Sequence, residues 1–142
     1  MPCINLPLDP IGPTIEIGIA LPRSGFAAGT ANPPIHWIKA IADTGCTHTS
    51  IHSSVAQACG LSVLGKNTVT NTSGPVAVNV YHGDLFLRPM IGNAPFEWLF
   101  NDRGLLELLH KSQHYDALLG MDILSQGSLS IIGSIKTASF CW

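Results

Sequence analysis

Charged side chains are scarce in this sequence, and neither sign dominates. Only 11% of the 142 residues are charged, and seven basic residues stand against nine acidic ones, a formal net charge of -2. Because nucleic-acid binding needs a cationic surface, we expect no nucleic-acid ligand. Hydrophobic residues make up 46% of the chain, and this excess predicts an apolar surface that a partner covers.

Long apolar runs and a basic leader are also missing. A membrane-spanning helix needs about 18 or more apolar residues in succession, and charged side chains interrupt the apolar second half of the chain. Prolines break up the first 22 residues, which therefore do not resemble a signal peptide. The sequence predicts neither a membrane span nor a signal peptide.

Cysteines are few and widely spaced. The four are Cys3, Cys46, Cys59 and Cys141, and no two form a Cys-x-x-Cys pair. This spacing favours neither a zinc site nor a dense disulfide framework. We expect free thiols in a reducing compartment, and hence a cytoplasmic protein.

The spacing of glycine and proline and the short runs between them predict a mainly β structure. Its length fits one domain, residues 1–142, and 14 glycines and 10 prolines divide it into short runs. Alternating or β-branched residues predict strands. The predicted strands are 14–21, 35–42, a long hairpin of 67–72 and 75–87, 94–100, and a closing hairpin of 128–132 and 135–142.

Two short segments favour helix instead. Residues 52–59 fit two helical turns that end at Gly60 in a left-handed cap. The leucine-rich residues 104–112 fit one or two further turns, with Leu105, Leu108 and Leu109 against the core.

The triplet Asp43-Thr44-Gly45 is the feature that points most directly to chemistry. It directly follows a predicted strand, and a carboxylate followed by a hydroxyl and a glycine suits a tight turn that exposes the acid. Standing alone, the triplet would equally fit an ordinary surface turn, since it arises by chance in roughly a few per cent of such chains.

Two longer motifs resemble the signatures of one known family. Residues 41–51 read Ile-Ala-Asp-Thr-Gly-Cys-Thr-His-Thr-Ser-Ile, and residues 118–124 read Leu-Leu-Gly-Met-Asp-Ile-Leu. In this order and spacing they resemble the catalytic and second signatures of the retropepsins, the homodimeric aspartic peptidases of retroviruses and retrotransposons, which also have cellular and bacterial members. The resemblance covers residues 14–142. It implies an all-β acid-protease fold, a closed barrel with a flap hairpin and one or two short helices.

The resemblance implies that Asp43 is catalytic. Peptide hydrolysis needs one group as base and another as acid, and two neighbouring carboxyls that share a proton supply both, as aspartic proteases illustrate in general. Only one Asp-Thr-Gly occurs here, so a second subunit must bring the other Asp43, in a homodimer that cleaves polypeptides without cofactor or metal. By resemblance, Thr44 would bond across the twofold axis and Gly45 would let backbone approach the carboxylates.

The same resemblance assigns two supporting segments. Thr72, Ser73 and Gly74 would form the tip of a flap that closes over an extended peptide and pairs with it; a plain surface hairpin is the alternative.

Residues 118–120 (Leu118, Leu119 and Gly120) would lie under the catalytic loop, with Gly120 leaving room for the Asp43 strand. Asp122 would cap a helix and take no part in catalysis.

Several residues depart from the family pattern or allow other chemistry. Cys46 replaces the usual alanine and introduces a site for oxidation. His48 and His52 have the spacing of metal ligands on a helix, as do His110 and His114, although solvent-facing or locally bonded imidazoles are the simpler interpretation.

Three other functions therefore remain open. They are a metal-dependent hydrolase, a cysteine nucleophile at Cys46 or Cys59, and a non-catalytic dimerisation or peptide-binding module that keeps the fold.

Overall fold

Strands dominate the computed structural model, which describes residues 2–88, 90–91, 94–95 and 97–142. The predicted all-β fold is confirmed. The strands are β1 (Cys3–Asp9), β2 (Gly12–Ala20), β3 (His36–Ala42), β4 (Ser50–His52), β5 (Ser62–Asn71), β6 (Gly74–Leu87), β7 (Met90–Ile91), β8 (Ala94–Pro95), β9 (Trp98–Leu108), β10 (Ala117–Leu119), β11 (Ser128–Ile132) and β12 (Thr137–Cys141). The helices are α1 (Ser53–Cys59) and α2 (Met121–Leu124).

Six of these strands close into a barrel. They follow one another in the order β2, β3, β10, β4, β9, β6, and β6 pairs back with β2. Closure leaves no free edge within the ring, and apolar side chains with no exposed surface fill it, among them Ile17, Ile51, Leu85, Leu105 and Leu119. The predicted closed barrel is confirmed.

Strand β2 is buried more completely than its alternating sequence predicts. It pairs with β1, β3 and β6, and between Pro13 and Ala20 only Glu16 is exposed. Thr14 and Gly18, on the face expected to be solvated, are buried as well. The central position of the strand, which a period of two does not reveal, explains the difference.

A smaller layer of strands joins the two ends of the chain. β12 lies between β1 and β11, and β1 continues into β2 at the barrel. The predicted closing hairpin is confirmed as β11 and β12, with a longer connection that includes a 3-10 turn, Gly133–Ile135.

The pairing of β1 with β12 corrects the expectation of four free thiols. Cys3 lies directly opposite Cys141, and the two form a disulfide across a sequence separation of 138 residues. The expectation holds for Cys46 and Cys59, which are free. Spacing along the sequence could not predict this bond, because strand pairing brings the two thiols together.

The first predicted helix is present as α1. The Nδ1 atom of His52 accepts a hydrogen bond from the backbone N–H of Ser54 at 3.2 Å, so His52 is the N-cap. Gly60 ends the helix in the left-handed conformation, with φ of 69°. The predicted glycine cap is thus confirmed.

The second predicted helix, residues 104–112, is wrong. Residues 98–108 form β9, which pairs with β6 on one side and with β4 on the other. These pairings override the helical propensity of the leucines. Leu105 is buried as expected, whereas Leu109 is exposed.

The predicted strand over residues 94–100 is also wrong as a single element. β8 ends at Pro95 and pairs with β7, whereas β9 begins at Trp98 and pairs with β6. Phe96, between them, lies outside the described residues.

Neither helix of the described residues has the length and apolar character that crossing a lipid bilayer requires.

Removing the Cys3–Cys141 disulfide should lower the free energy of unfolding by about 2–4 kcal/mol, because a long cross-link restricts the unfolded chain. The measurement is urea unfolding of the oxidised protein and of a Cys3→Ser/Cys141→Ser variant. As a control, a reductant should shift the midpoint of the parent protein and leave that of the variant unchanged. Equal midpoints for the parent and the variant without reductant would contradict this expectation.

Candidate active site

Asp43 lies where β3 ends, at the start of a loop that crosses the end of another strand. β3 and β4 follow each other in the sequence but both pair with β10, which lies between them. Residues 43–49 must therefore pass over the carboxyl end of β10 to reach β4. The Asp43 N–H donates to the carbonyl oxygen of Leu119 at 2.9 Å, so the loop is fixed to β10 from its first residue.

The Asp43 side chain is half-buried and both of its oxygens accept hydrogen bonds. The Gly45 N–H donates to Oδ1 at 2.8 Å, and the Cys46 thiol donates to Oδ2, with Sγ at 3.3 Å. The Cys46 N–H also donates to the Asp43 carbonyl oxygen at 3.2 Å, which closes a tight turn. A carboxylate held by donors on its own loop is oriented before any ligand arrives.

Thr44 and Gly45 are exposed beside that carboxylate. A Cβ on residue 45 would lie 3.1 Å from Oδ1 of Asp43, so glycine permits the close approach of backbone to carboxylate. The Thr44 hydroxyl forms no hydrogen bond with the described residues. The bond across a twofold axis that the sequence predicts for it involves a second chain and stays a prediction.

Thr49 and Asp122 anchor the far end of the loop. Oδ1 of Asp122 accepts from the Thr49 backbone N–H at 3.0 Å and from its hydroxyl at 2.8 Å. The same hydroxyl oxygen accepts from the Gly120 N–H at 3.1 Å, and Thr49 has no exposed surface. Sequence reasoning missed this role for Thr49, although the residue lies within the first motif, residues 41–51.

The expectation that Asp122 caps α2 is wrong. The N-cap position belongs to Gly120 and carries no side-chain hydrogen bond, while Asp122 lies in the first turn. Loop carbonyls take the place of a capping side chain, because the N–H groups of Met121 and Asp122 donate to the carbonyl oxygens of Cys46 and Thr47 at 2.8 and 3.1 Å. The helix start and the loop thus satisfy each other's backbone groups.

Gly120 lies where the loop passes closest to β10. A Cβ at this position would lie 2.5 Å from the carbonyl carbon of His48 and 2.9 Å from the nitrogen of Thr49. The sequence predicted that Gly120 leaves room for the Asp43 strand. The structure corrects this, because the His48–Thr49 backbone occupies that space. Leu118 and Leu119 precede it in β10 and pair with Ile41 and Ala42 of β3.

The predicted long hairpin is present as β5 and β6, with Thr72 and Ser73 in the turn. Oδ1 of Asn71 accepts from the Ser73 N–H at 2.8 Å, and Gly74 has φ of 108°, a conformation that favours glycine. Between this hairpin and the Asp43 loop runs a cleft of about 390 Å³, lined by residues 45–48, Ser50, residues 67–70 and Leu106. We call it the loop–hairpin cleft.

A second hollow borders Asp43 and Thr44. Its volume is about 450 Å³, and its other lining is mostly apolar, including Ile11, Ile41, Leu118, Leu129 and Ile131. We call it the apolar hollow. Asp43 thus lies beside both an apolar hollow and, through its neighbours in the loop, a polar cleft.

Neither free thiol is activated for nucleophilic attack. Burial, and for Cys46 also its bond to the Asp43 carboxylate, raises the pKa of both Cys46 and Cys59 to about 11. A nucleophilic cysteine needs the opposite shift. The geometry gives no support to a cysteine nucleophile.

Of the four histidines considered as metal ligands, His110 and His114 are exposed, whereas His48 and His52 have local side-chain partners. Nδ1 of His48 lies 3.0 Å from the Thr47 hydroxyl, and Nδ1 of His52 lies 2.7 Å from the Ser54 hydroxyl. Within the described parts of the chain, no three His, Cys, Asp or Glu side chains come together in a metal-binding arrangement.

Comparison with known proteins identifies the fold. No family model matches the chain, and no curated protein matches it. Among solved structures, a retropepsin-like aspartic protease from Rickettsia conorii matches with a TM-score of 0.51 and 16% sequence identity, over 97% of this chain and 89% of that one. At this identity the match shows a shared retropepsin-like fold, and it leaves the catalytic residues and the assembly to be argued from the site.

Replacing Gly120 with alanine should lower the free energy of unfolding by about 3 kcal/mol, at the upper end of the usual cost of overpacking, because the added methyl meets backbone and not a movable side chain. Thermal unfolding would measure the loss. Gly133→Ala is the matched control, since nothing lies within 4 Å of a Cβ there. Equal melting temperatures for the two variants would contradict the inference that the backbone around Gly120 leaves no room for a methyl group.

The raised thiol pKa values predict slow alkylation of the native protein. With a pKa of about 11 instead of 9.0, the thiolate population at pH 8 falls about 100-fold. Iodoacetamide, added without reductant and followed by mass spectrometry, should modify Cys46 and Cys59 that much more slowly than in urea. Equal alkylation rates for the native protein and the protein in urea would contradict the raised thiol pKa values.

The same shifts fix the sign of a stability change with pH. The thiol pKa values are higher in the folded state than in the unfolded state, so the unfolded chain loses its thiol protons first as the pH rises. The contribution of the two thiols to the free energy of unfolding is therefore constant below pH 9 and declines from pH 9 towards 11. A Cys46→Ala/Cys59→Ala variant should lose less stability over that window than the parent.

Proposed function

We propose that this chain is an aspartic endopeptidase that works as a homodimer, with one Asp43 from each subunit in a shared active site. The observation that carries the proposal is the Asp43 carboxylate, oriented by its own loop and lying between the apolar hollow and the loop–hairpin cleft in a retropepsin-like fold. The shared fold supports a hydrolase of this type, and the site supplies the specific argument.

The chemistry requires two carboxyl groups. One carboxylate takes a proton from water while the water oxygen attacks the peptide carbonyl carbon, and a protonated carboxyl gives its proton to the carbonyl oxygen. The tetrahedral diol then collapses: one of its hydroxyls returns a proton to the ionised carboxyl, the C–N bond breaks, and the leaving nitrogen takes the proton of the other carboxyl. The dyad again holds one proton. Two carboxyls a few Å apart hold a single proton between them because both cannot ionise at that distance.

The second carboxyl comes from a second copy in this proposal. The loop offers only one aspartate, and the apolar hollow beside it is surface that a subunit would cover. The nearby β11 hairpin adds exposed apolar side chains: Ile131 is 53% and Ile135 is 65% exposed. A twofold axis beside Asp43 would bury this surface and bring the two carboxylates together.

An extended polypeptide fits the other side of the loop. Among the described residues, β5 ends the order of strands and pairs with β6 alone, so its outer backbone edge can pair with a substrate strand. The turn at Thr72, Ser73 and Gly74 would be the tip of the flap. The proposal needs no cofactor and no metal, and nucleic acid and membrane have no part in it.

A non-catalytic peptide-binding module is the second candidate. The observation that favours it is the Cys46 thiol on Oδ2 of Asp43, because that bond occupies an oxygen which a water or a second carboxyl would use. The cytoplasmic location stays a proposal, and it has to accommodate a Cys3–Cys141 disulfide of a kind that persists mainly in oxidising compartments.

Asp43→Asn should reduce peptide cleavage at least about 10³-fold, because the amide can neither accept nor share the proton. The measurement is mass spectrometry of a mixed peptide library incubated with each protein across pH, with and without chelator. Asp9→Asn, in which an exposed carboxylate paired with Lys39 is changed, is the matched control and should keep full activity. Inhibition by the chelator would favour a metal-dependent hydrolase instead.

Mixing the parent and Asp43→Asn proteins tests whether two subunits share one site. After subunit exchange in an equal mixture, about a quarter of the dimers carry two aspartates, so activity should fall to about a quarter of that of the same total amount of parent protein. A fall to one half would mean that each chain works alone. Peptide binding without any cleavage by the parent would favour the module.

A further inference from the structure

The loop–hairpin cleft carries an inference about substrate selection, which rests on the proposed function. Its lining is rich in side chains that form hydrogen bonds, and no carboxylate, ammonium or guanidinium group is among the lining residues that the structure describes. A cleft built for an apolar side chain would have the opposite lining. We propose that it binds a neutral polar substrate side chain of the amide type, glutamine or asparagine, close to the scissile bond.

Several hydrogen-bonding groups of the cleft have no partner among the described residues. The hydroxyls of Ser50 and Thr70 form no hydrogen bond with the described residues, and neither does the Asn67 amide nitrogen; only Oδ1 of Asn67 is engaged, by the Thr68 N–H at 2.8 Å. Each hydroxyl can both donate and accept. An amide side chain also both donates and accepts, so it can bond to donors and acceptors among these groups, whereas an aliphatic side chain would displace their water without replacing its bonds.

The position of the cleft ties it to the reacting centre. Gly45 and Cys46, which donate to the two oxygens of Asp43, also line the cleft. Side chains of an extended peptide alternate at about 3.3 Å per residue. A side chain that enters the cleft therefore belongs to a residue close to the bond that is cleaved.

The distribution of charge around the cleft favours a neutral occupant. An adjoining cavity that shares His48, Asn67 and Leu106 with the cleft carries charges of both signs, those of Asp102, Arg103 and Asp122. A substrate carboxylate finds no lysine or arginine among the described residues that line the cleft itself. A substrate ammonium finds no carboxylate partner among the residues that line the cleft itself. His48 supplies an imidazole to the described lining, and its Nδ1 already lies 3.0 Å from the Thr47 hydroxyl.

The test uses side chains of nearly equal shape. A library of acetylated octapeptides would have each position fixed in turn as Gln, Met, Glu or Lys; Gln, Met and Glu differ little in size but differ in hydrogen bonding and charge. Cleavage by the parent protein would be followed by mass spectrometry. In parallel, immobilised Asp43→Asn protein would select peptides by affinity, which gives a readout that needs no catalysis.

At one position near the cleavage site, Gln should be preferred over Met by about 10-fold, as expected for one or two partly exposed hydrogen bonds. Gln should also exceed Glu and Lys. Thr70→Val and Asn67→Leu, which keep side-chain shape, should remove most of the preference for Gln over Met. Thr137→Val, an exposed strand threonine of β12 outside the cleft, should leave it unchanged.

Equal or greater selection of Met, Glu or Lys, or no peptide selected at all, would overturn the inference. So would a preference for Gln that survives both cleft variants. If Asp43→Asn selects Gln peptides while the parent cleaves nothing, the inference stands and the proposed peptidase activity fails. If the parent cleaves without preference at any position, the activity stands and the inference fails.

Discussion

The Asp43 site depends on one buried hydroxyl. The Thr49 side chain accepts from the Gly120 N–H, donates to the Asp122 carboxylate, and has no surface in contact with water. A polar group so placed must keep its partners, because leaving one of them unsatisfied costs about 1–3 kcal/mol. This hydroxyl therefore joins the end of the Asp43 loop, the end of β10 and the start of α2 into one unit, and that unit fixes the position of Asp43.

The strand topology explains why the Asp43 loop needs the hydrogen bonds of Thr49. Because β10 separates β3 from β4, the chain between them has to cross a strand end, and a crossing segment cannot use the ladder bonds of a sheet. Its carbonyls at Cys46 and Thr47 instead accept from the first N–H groups of α2. Gly120 lets the two backbones approach closely enough for this exchange. The conformation of the Asp43 turn is thus supported by barrel strands, which hold functional side chains more firmly than a free loop does.

Local patterns predicted most of the elements, and pairing decided the rest. Alternation and turn residues located β2, the β5–β6 hairpin and α1, since these signals belong to neighbouring residues. Residues 104–108 were predicted helical because Leu and Glu favour helix, yet they form a strand between β6 and β4. The Cys3–Cys141 bond and the Thr49–Asp122 contact likewise depend on residues distant in sequence. The motif located Asp43 and Gly120 but not the atoms that Gly120 makes room for.

Cys46 poses the sharpest physical question at this site, because its thiol donates to the oxygen Oδ2 of Asp43. A thiol is a weak donor, so a water or a second carboxyl that forms a stronger, charge-assisted bond with the same oxygen would replace it at little cost. The raised pKa of Cys46 keeps its sulfur protonated and neutral, so the thiol adds no negative charge to a site that would hold two carboxyls in the proposed homodimer. A serine here would bind the carboxylate more strongly and would compete better with the shared proton. The replacement of the usual small side chain by cysteine is therefore compatible with proton sharing, in a way that a hydroxyl or a thiolate at the same position would not be.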